Sequence, residues 1–265
     1  MMRVRLSWMR RLAAAAVSFI LAFCPLPTGA QPFTVVLDAG HGGKDPGCTG
    51  SVRANQEKHI TLAIALEVGR LIRANLSGVE VIYTRDDDTF IALGRRAEIA
   101  NNAKADLFVS IHVNALPKNS RRKTVGVQSY TLSLEPSEVN LEVEKRENAV
   151  IALEGDEAKK YDYFSSAEAD IMFELMQDRD MQESVRFAQL AQREMVTTAG
   201  RQDMGVRQAN LAVLRLTYMP SVLLEVGFIS TPAEEQFLLS NAGQKKLAQS
   251  IYNAIAQYYR QNQTP

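Results

Sequence analysis

The sequence predicts an α/β fold: a mixed, mostly parallel twisted sheet with helices on both faces, plus a helical insertion around residues 134–198. Three observations carry that reading. Short runs rich in β-branched residues alternate with longer segments of helical periodicity, the pattern of βαβ units. Histidines and a glutamate stand at or just past the ends of apolar runs, where open α/β sheets gather ligands. Beyond the first thirty residues Cys48 is the only cysteine, so the fold must stand on packing rather than on disulfides.

The elements follow in order. FTVVLDA (33–39) reads as a buried strand. QEKHITLAIALEVGRLIRA (56–74) is apolar along one broad face at helical spacing, with Asn55 available as its N-cap. VEVIYTR (79–85) is a strand, LGRRAEIANNA (93–103) a short helix, and DLFVSIHVNA (106–115) a strand that ends in a loop. VGVQSYTL (125–132) is a further strand. The stretch 134–183 then carries fifteen Asp+Glu against five Lys+Arg and separates that strand from a helix-like run at 167–198. It is long for a plain loop, so it is either a helical excursion with a task or a solvated surface insert. PSVLLEVGFIS (220–230) is a strand with its loop, and 233–239 and 243–261 are two closing helices.

Residues 1–30 read as a secretory signal peptide. Arg3, Arg5, Arg10 and Arg11 precede the apolar run 12–24, and Thr28 and Ala30 hold the small-residue positions before Gln31. An uncleaved anchor would want about twenty apolar residues. Lipid attachment at Cys24 would want a smaller neighbour than Phe23. Residues 31–265 are then expected to form one domain. Taking away the four arginines of the leader leaves 26 Lys+Arg against 30 Asp+Glu, a net charge of −4. No basic stripe exists, so nucleic acid is not an expected partner, and no transmembrane segment is expected after cleavage.

VVLDAGHGGKDPG (35–47) runs from a strand into a glycine-rich loop and invites a nucleotide reading. A P-loop would need a glycine where Asp38 stands and Ser or Thr where Asp45 stands. The dinucleotide fingerprint also fails, because its third glycine would fall on Asp45. The alternative is a loop that presents His41, with glycines clearing space around it. The chain has three histidines, at 41, 59 and 112. His112 closes the strand in VSIHVNA and is presented in the same way. Glu57 and His59 point about 200° apart on a helix, so only one can face such a site. The helix macrodipole gives Glu57 a second reason to be there, and spacing alone does not decide its role. Catalytic zinc takes three protein ligands, His₂Glu among the known sets, and keeps a fourth position open. His41 and His112 with a carboxylate would supply them. Glu225 is an acid inside an otherwise apolar strand, so it should be paired, metal-bound or functional; burial would suit it to take and return a proton. Cys48 is open to two readings, a thiolate ligand or a bystander.

Taken together, LDAGHGGKDPG (37–47), QEKHITLAIA (56–65), YTRDDDTFIALGRRAEIAN (83–101), ADLFVSIHVNA (105–115) and LLEVGFIS (223–230) resemble the zinc-dependent N-acetylmuramoyl-L-alanine amidases of the cell-separation type, over about 33–261. The resemblance implies one Zn²⁺ held by His41, Glu57 and His112, with Glu225 as the catalytic glutamate. It implies hydrolysis of the amide between N-acetylmuramic acid and L-alanine in peptidoglycan, so glycan strands and stem peptides are the partners. The location it implies is the periplasm or envelope of a bacterium. Arg85 and Arg96 fall on the family's arginines, as salt-bridging residues or as holders of an anionic substrate. Some relatives carry an insert whose helix blocks the site until a protein activator withdraws it. Glu147, 35 residues beyond His112, lies at the matching place as an inhibitory zinc ligand. Lys44 and His59 receive no role. Two competitors remain: an exported zinc carboxypeptidase, which would clamp a terminal carboxylate with an arginine pair such as Arg95 and Arg96, and a non-catalytic wall-binding module.

Overall fold

The computed structural model describes residues 32–117, 124–133, 139–155 and 167–263, without the side chains of 167–178. The expected signal peptide therefore lies outside the described residues, as do 134–138 and 156–166 of the insert. No described helix is long and apolar enough to cross a membrane.

Among the described residues six strands form one sheet: β1 (Phe33–Ala39), β2 (Val79–Tyr83), β3 (Leu107–Asn114), β4 (Val127–Leu132), β5 (Asp203–Ala209) and β6 (Ser221–Phe228). Their order is β2-β1-β3-β6-β4-β5. β2, β1, β3 and β6 run parallel, β4 is antiparallel to β6, and β5 is parallel to β4. The mixed, mostly parallel sheet is as expected. β5 was not anticipated: DMGVRQA is an edge strand, half exposed along most of its length, and has no alternating apolar signal.

The period of two along each strand sorts the core into two layers. Val35, Leu37, Val109, Ile111, Val222 and Leu224 face α1 (Glu57–Asn75), α4 (Ala167–Thr197) and α7 (Asn241–Asn262) through residues such as Ile64, Phe187, Met195 and Ile251. Val36, Phe108 and Leu223 face the other way. There they meet Leu93 of α2 (Leu93–Asn102), Val143 of α3 (Leu141–Asn148), Val150 of the 3₁₀ turn Ala149–Leu153 and Leu214 of α5 (Ala212–Arg215). α6 (Pro232–Leu239) follows β6. By the same alternation Asp38, Ser110, His112 and Glu225 belong to the second face, the one covered by α3 and the 3₁₀ turn of the insert, whereas its later part, α4, packs on the first. His112 and Glu225 are direct register partners.

Local boundaries differ in one instructive place. α1 begins at Glu57 with Gln56 as N-cap and no side-chain cap. Asn55, expected in that position, instead donates from Nδ2 to Glu235 Oε1 (2.7 Å), which also accepts from the Ser51 N–H (2.7 Å). The loop before α1 is thus tied to α6.

Asp38 is fully buried and accepts hydrogen bonds from Arg96 (2.7 Å), Thr84 (2.6 Å) and Ser110 (2.6 Å). Burial works against its charge, but Arg96 and the two hydroxyls outweigh it and hold its pKa below the ordinary 3.8. A carboxylate lowered in this way adds stability that is present above its unfolded pKa and lost as pH falls through the folded one. Asp38→Asn should therefore lower the urea-unfolding free energy by roughly 3–5 kcal/mol at neutral pH, because Arg96 keeps its charge without a counter-charge. The variant should also flatten the fall in stability below about pH 4. A variant within 1 kcal/mol of wild type in denaturant titrations would show that the pair carries no such weight.

Candidate active site

β1 ends at Ala39 and the chain turns sharply, so that His41 takes φ +63°, a left-handed conformation uncommon outside glycine. Two buried arginines hold that turn. Arg96 donates to the Ala39 and His41 carbonyls (2.8 and 2.7 Å), and Arg85 to the Ala39 and Gly40 carbonyls (both 2.8 Å). A Cβ on Gly40 would lie 2.5 Å from the His112 ring, so only glycine lets this backbone pass the second histidine. His41 Nδ1 lies 2.7 Å from Asp45 Oδ2. Asp45 is held ionised, against its burial, chiefly by that hydrogen bond. Nδ1 therefore carries the proton, and Nε2 faces inward.

Glu57 opens α1 and is completely buried. Its Oε2 accepts from the Cys48 N–H (2.7 Å) and its Oε1 from the Val113 N–H (2.7 Å). Oε1 also lies 3.2 Å from His41 Nε2 and 3.3 Å from His112 Nδ1. Glu57 thus faces the site, while His59 is exposed. Cys48 serves through its backbone; burial pushes its thiol pKa up, the wrong direction for a thiolate ligand.

Glu225 is fully buried beside His112. Its Oε1 accepts from Arg146 (2.8 Å), and its Oε2 has no hydrogen-bond partner among the described residues. Burial pushes its pKa up to about 8, against the pull of Arg146. Arg146 belongs to the insert, as does Glu147. Glu147 Oε2 lies 2.8 Å from His112 Nδ1 and 3.6 Å from His41 Nε2. These three atoms are close, yet none makes a hydrogen bond of acceptable geometry. They lie within 4.8 Å of one another, an arrangement that suits a shared metal ion. The electrostatics agree. Burial opposes protonation of His41, but Glu57 and Asp45 raise its pKa to about 9; burial likewise opposes it at His112, where Glu147 and Glu57 prevail. The carboxylates call for positive charge at this point, and a divalent cation would meet that demand without protonating the rings.

The insert is fastened on both banks of the cleft. On one side Lys44 Nζ donates to the Leu153 carbonyl (2.5 Å) and lies over the Phe90 ring, and the Leu93 N–H donates to Glu154 (2.7 Å). On the other, Glu144 accepts from the Asn210 N–H (2.8 Å), and Asn148 bridges the Asn210 carbonyl and the Ala212 N–H (both 2.9 Å). Lys44, without a role on sequence grounds, is a fastener of the insert.

His41, Glu57, His112, Glu225 and Glu147, all singled out from sequence, are thus brought together. The Arg95–Arg96 pair is not a clamp: Arg95 is exposed and paired with Glu98 (3.1 Å), and Arg96 is committed to the His41 turn. Sequence reading missed Asp45, Arg146 and Asn114. Asp45 had a signal, an acid four residues after a presented histidine; the other two meet the site only through the fold.

Residues 35–257 match a family described as N-acetylmuramoyl-L-alanine amidase. The N-acetylmuramoyl-L-alanine amidase AmiC of Neisseria meningitidis serogroup B is 34% identical over 230 residues, 87% of this chain and 53% of that protein. AmiA of Salmonella typhimurium is 34% identical over 227 residues, 85% of this chain and 75% of that protein. The chain therefore spans about half the length of the first relative and three quarters of the second. The catalytic domain of CwlV, an N-acetylmuramoyl-L-alanine amidase from Bacillus (Paenibacillus) polymyxa var. colistinus, superposes with a TM-score of 0.63 at 32% identity, covering 86% of this chain and 98% of that domain.

If Gly40 is the residue that lets His41 and His112 approach, Gly40→Ala should weaken divalent-metal affinity by about tenfold or more with the fold retained. Titration calorimetry with Zn²⁺ or Co²⁺ reads this directly. Wild-type affinity in the variant would refute it.

Proposed function

The chain belongs to the N-acetylmuramoyl-L-alanine amidase family, and on that premise we propose that it hydrolyses the amide between N-acetylmuramic acid and L-alanine in peptidoglycan, using one Zn²⁺. The observation that carries the reading is the approach of His41 Nε2 and His112 Nδ1 to the same oxygen, Glu57 Oε1, at 3.2 and 3.3 Å, beside a buried glutamate whose Oε2 has no partner among the described residues. His41, Glu57 and His112 would hold the ion. When bound, it supplies Lewis-acid chemistry, polarising the scissile carbonyl and making water at its open position a better nucleophile near neutral pH.

The protein's own groups do the rest. Asp45 fixes the His41 tautomer. Glu225, through its unpartnered Oε2, takes a proton from the attacking water as oxygen bonds to the lactyl carbonyl carbon. It returns that proton to the nitrogen as the C–N bond breaks. A carboxylate and a free amino-terminal stem peptide result. Burial, which raises the Glu225 pKa, keeps it basic enough to accept that proton and acidic enough to return it.

With the insert in place, His41, Glu57, His112 and Glu225 are all buried. Glu147, beside both histidines, would compete with water for the ion, and Arg146 ties up Glu225. We read this as a resting, autoinhibited enzyme that a partner protein activates by withdrawing the insert. The leader-like residues 1–30 fit export to a bacterial envelope, where such hydrolysis would serve wall remodelling and daughter-cell separation. The carboxypeptidase reading loses its support with the dispersal of Arg95 and Arg96, and a purely binding module would not need the Glu225 arrangement.

Glu147→Ala should raise the basal release of stem peptides from purified sacculi by about tenfold or more, with one zinc per chain retained on His41, Glu57 and His112. Unchanged release from a zinc-loaded variant would sink the autoinhibited reading. Adding Glu225→Gln should then cut release by about 10³-fold while zinc content stays at one per chain; turnover within threefold of the Glu147→Ala parent would remove Glu225 from the mechanism.

A further inference from the structure

The guanidinium of Arg146 is surrounded by oxygen acceptors at the carboxyl ends of the two central strands, β3 and β6: Glu225 Oε1 at 2.8 Å, Asn114 Oδ1 at 3.0 Å and the Ala115 carbonyl at 3.3 Å. Glu147, its neighbour on the insert, is the fourth partner (2.8 Å). The three sheet acceptors stay behind when the insert is set aside. Asn114 and Ala115 have no part in the chemistry described so far.

Asn114 is built for this position. It is almost completely buried. Its Nδ2 donates to Gln128 Oε1 (3.3 Å), which also accepts from the Tyr130 hydroxyl (3.1 Å). That network leaves Oδ1 as the atom turned to Arg146. The pairing of β3 with β6 is irregular here: His112 pairs with Glu225, but Asn114 pairs with Phe228. Bulges of this kind re-aim a side chain beside an active site.

Carbonyl and amide oxygens only accept, so this place calls for N–H donors, and a positively charged donor best of all. We propose that Asn114 Oδ1 and the Ala115 carbonyl form the subsite for the N–H groups of the leaving peptide, including its new amino terminus, and that Arg146 occupies that subsite at rest. The inference rests on the amidase reading. Glu225 must return its proton to the leaving nitrogen, which brings that nitrogen within hydrogen-bond reach of Glu225. The L-alanine that bears it then lies against the two neighbouring acceptors. The resting insert thus imitates both halves of the reaction: Glu147 takes the place of the attacking oxygen and Arg146 that of the departing nitrogen. Asn114 is a positioning residue in this account, and its contribution is to peptide binding.

The test uses the full chain carrying Arg146→Ala and Glu147→Ala, loaded with one zinc, and L-alanyl-D-isoglutamine as the probe in titration calorimetry. Asn114→Ala in that parent should weaken peptide binding by about tenfold, the loss of one hydrogen bond to a charged donor. Asn114→Asp, which keeps an acceptor there but gives up the Nδ2 bond to Gln128, should bind the peptide more tightly than Asn114→Ala. Free N-acetylmuramic acid should bind the parent and the Asn114→Ala variant alike. If Asn114→Ala loses zinc, Asn114→Leu supplies the same test with the volume kept. Equal peptide affinity in the parent and the acceptor-less variant overturns the proposal. So does a parent that cleaves sacculi yet shows no peptide binding at millimolar concentration. Failure of the amidase reading is a separate result: a zinc-loaded parent that releases no peptide from sacculi at all.

Discussion

Asp38 is a carboxylate shut away from water, and Arg96 is the charge that lets it stay ionised there. A buried carboxylate alone would be too expensive to keep charged. Because a guanidinium has five donors in a rigid fork, Arg96 neutralises Asp38 and still has N–H groups to spend on the Ala39 and His41 carbonyls. The ion pair that secures the middle of the sheet therefore also sets the turn at its edge. In that turn His41 holds a left-handed backbone that a β-carbon ordinarily resists. From His41 the dependence runs outward, to Asp45 through one ring nitrogen and to Glu57 near the other. Glu57 in turn knots the loop at Cys48 to the end of β3 at Val113.

Charge balance explains why the cleft tolerates so many acids. Glu57, Glu147 and Glu225 are all buried within one cluster, and each raises the electrostatic cost of the others. Arg146 and the two imidazoles offset that cost as the chain stands. Withdrawing the insert removes one acid and one base together, so net charge in the cleft barely changes. A plug made of a lone glutamate would instead leave Glu225 without its counter-charge at rest.

Much of this was legible in the residues. Each of β1, β3 and β6 carries an apolar signal strong enough to find, with His41, His112 and Glu225 at or just past the strand ends; that Asp38, Ser110, His112 and Glu225 share one face is set by the register between those strands. β5 was not legible because an exposed edge strand with polar residues and Gly205 buries too little to imprint a pattern. Glu57 could not be decided from spacing, since its fixing partners are the backbone N–H groups of Cys48 and Val113, which leave no mark in side-chain sequence. Arg85 and Arg96 were visible as candidates, but their partners are carbonyls of residues 39–41. Asn114 and Arg146 are far apart in the chain, and only the bulge in β3–β6 pairing and the fold of the insert bring them into contact.

The helix that lies over the site, α3, has eight residues, Leu141–Asn148, and no side-chain cap at its start. Two turns of helix are marginal in water by themselves, so α3 owes its helicity to the cleft it fills, through Val143 in the core and the fasteners at Glu144 and Asn148. Once lifted, the segment has little reason to stay helical. Opening the site is then closer to local melting than to the swing of a rigid door, and the chain entropy released on melting offsets part of the contacts that are broken. In the activation proposed for this insert, a partner that captures the melted form would need to supply only the remainder.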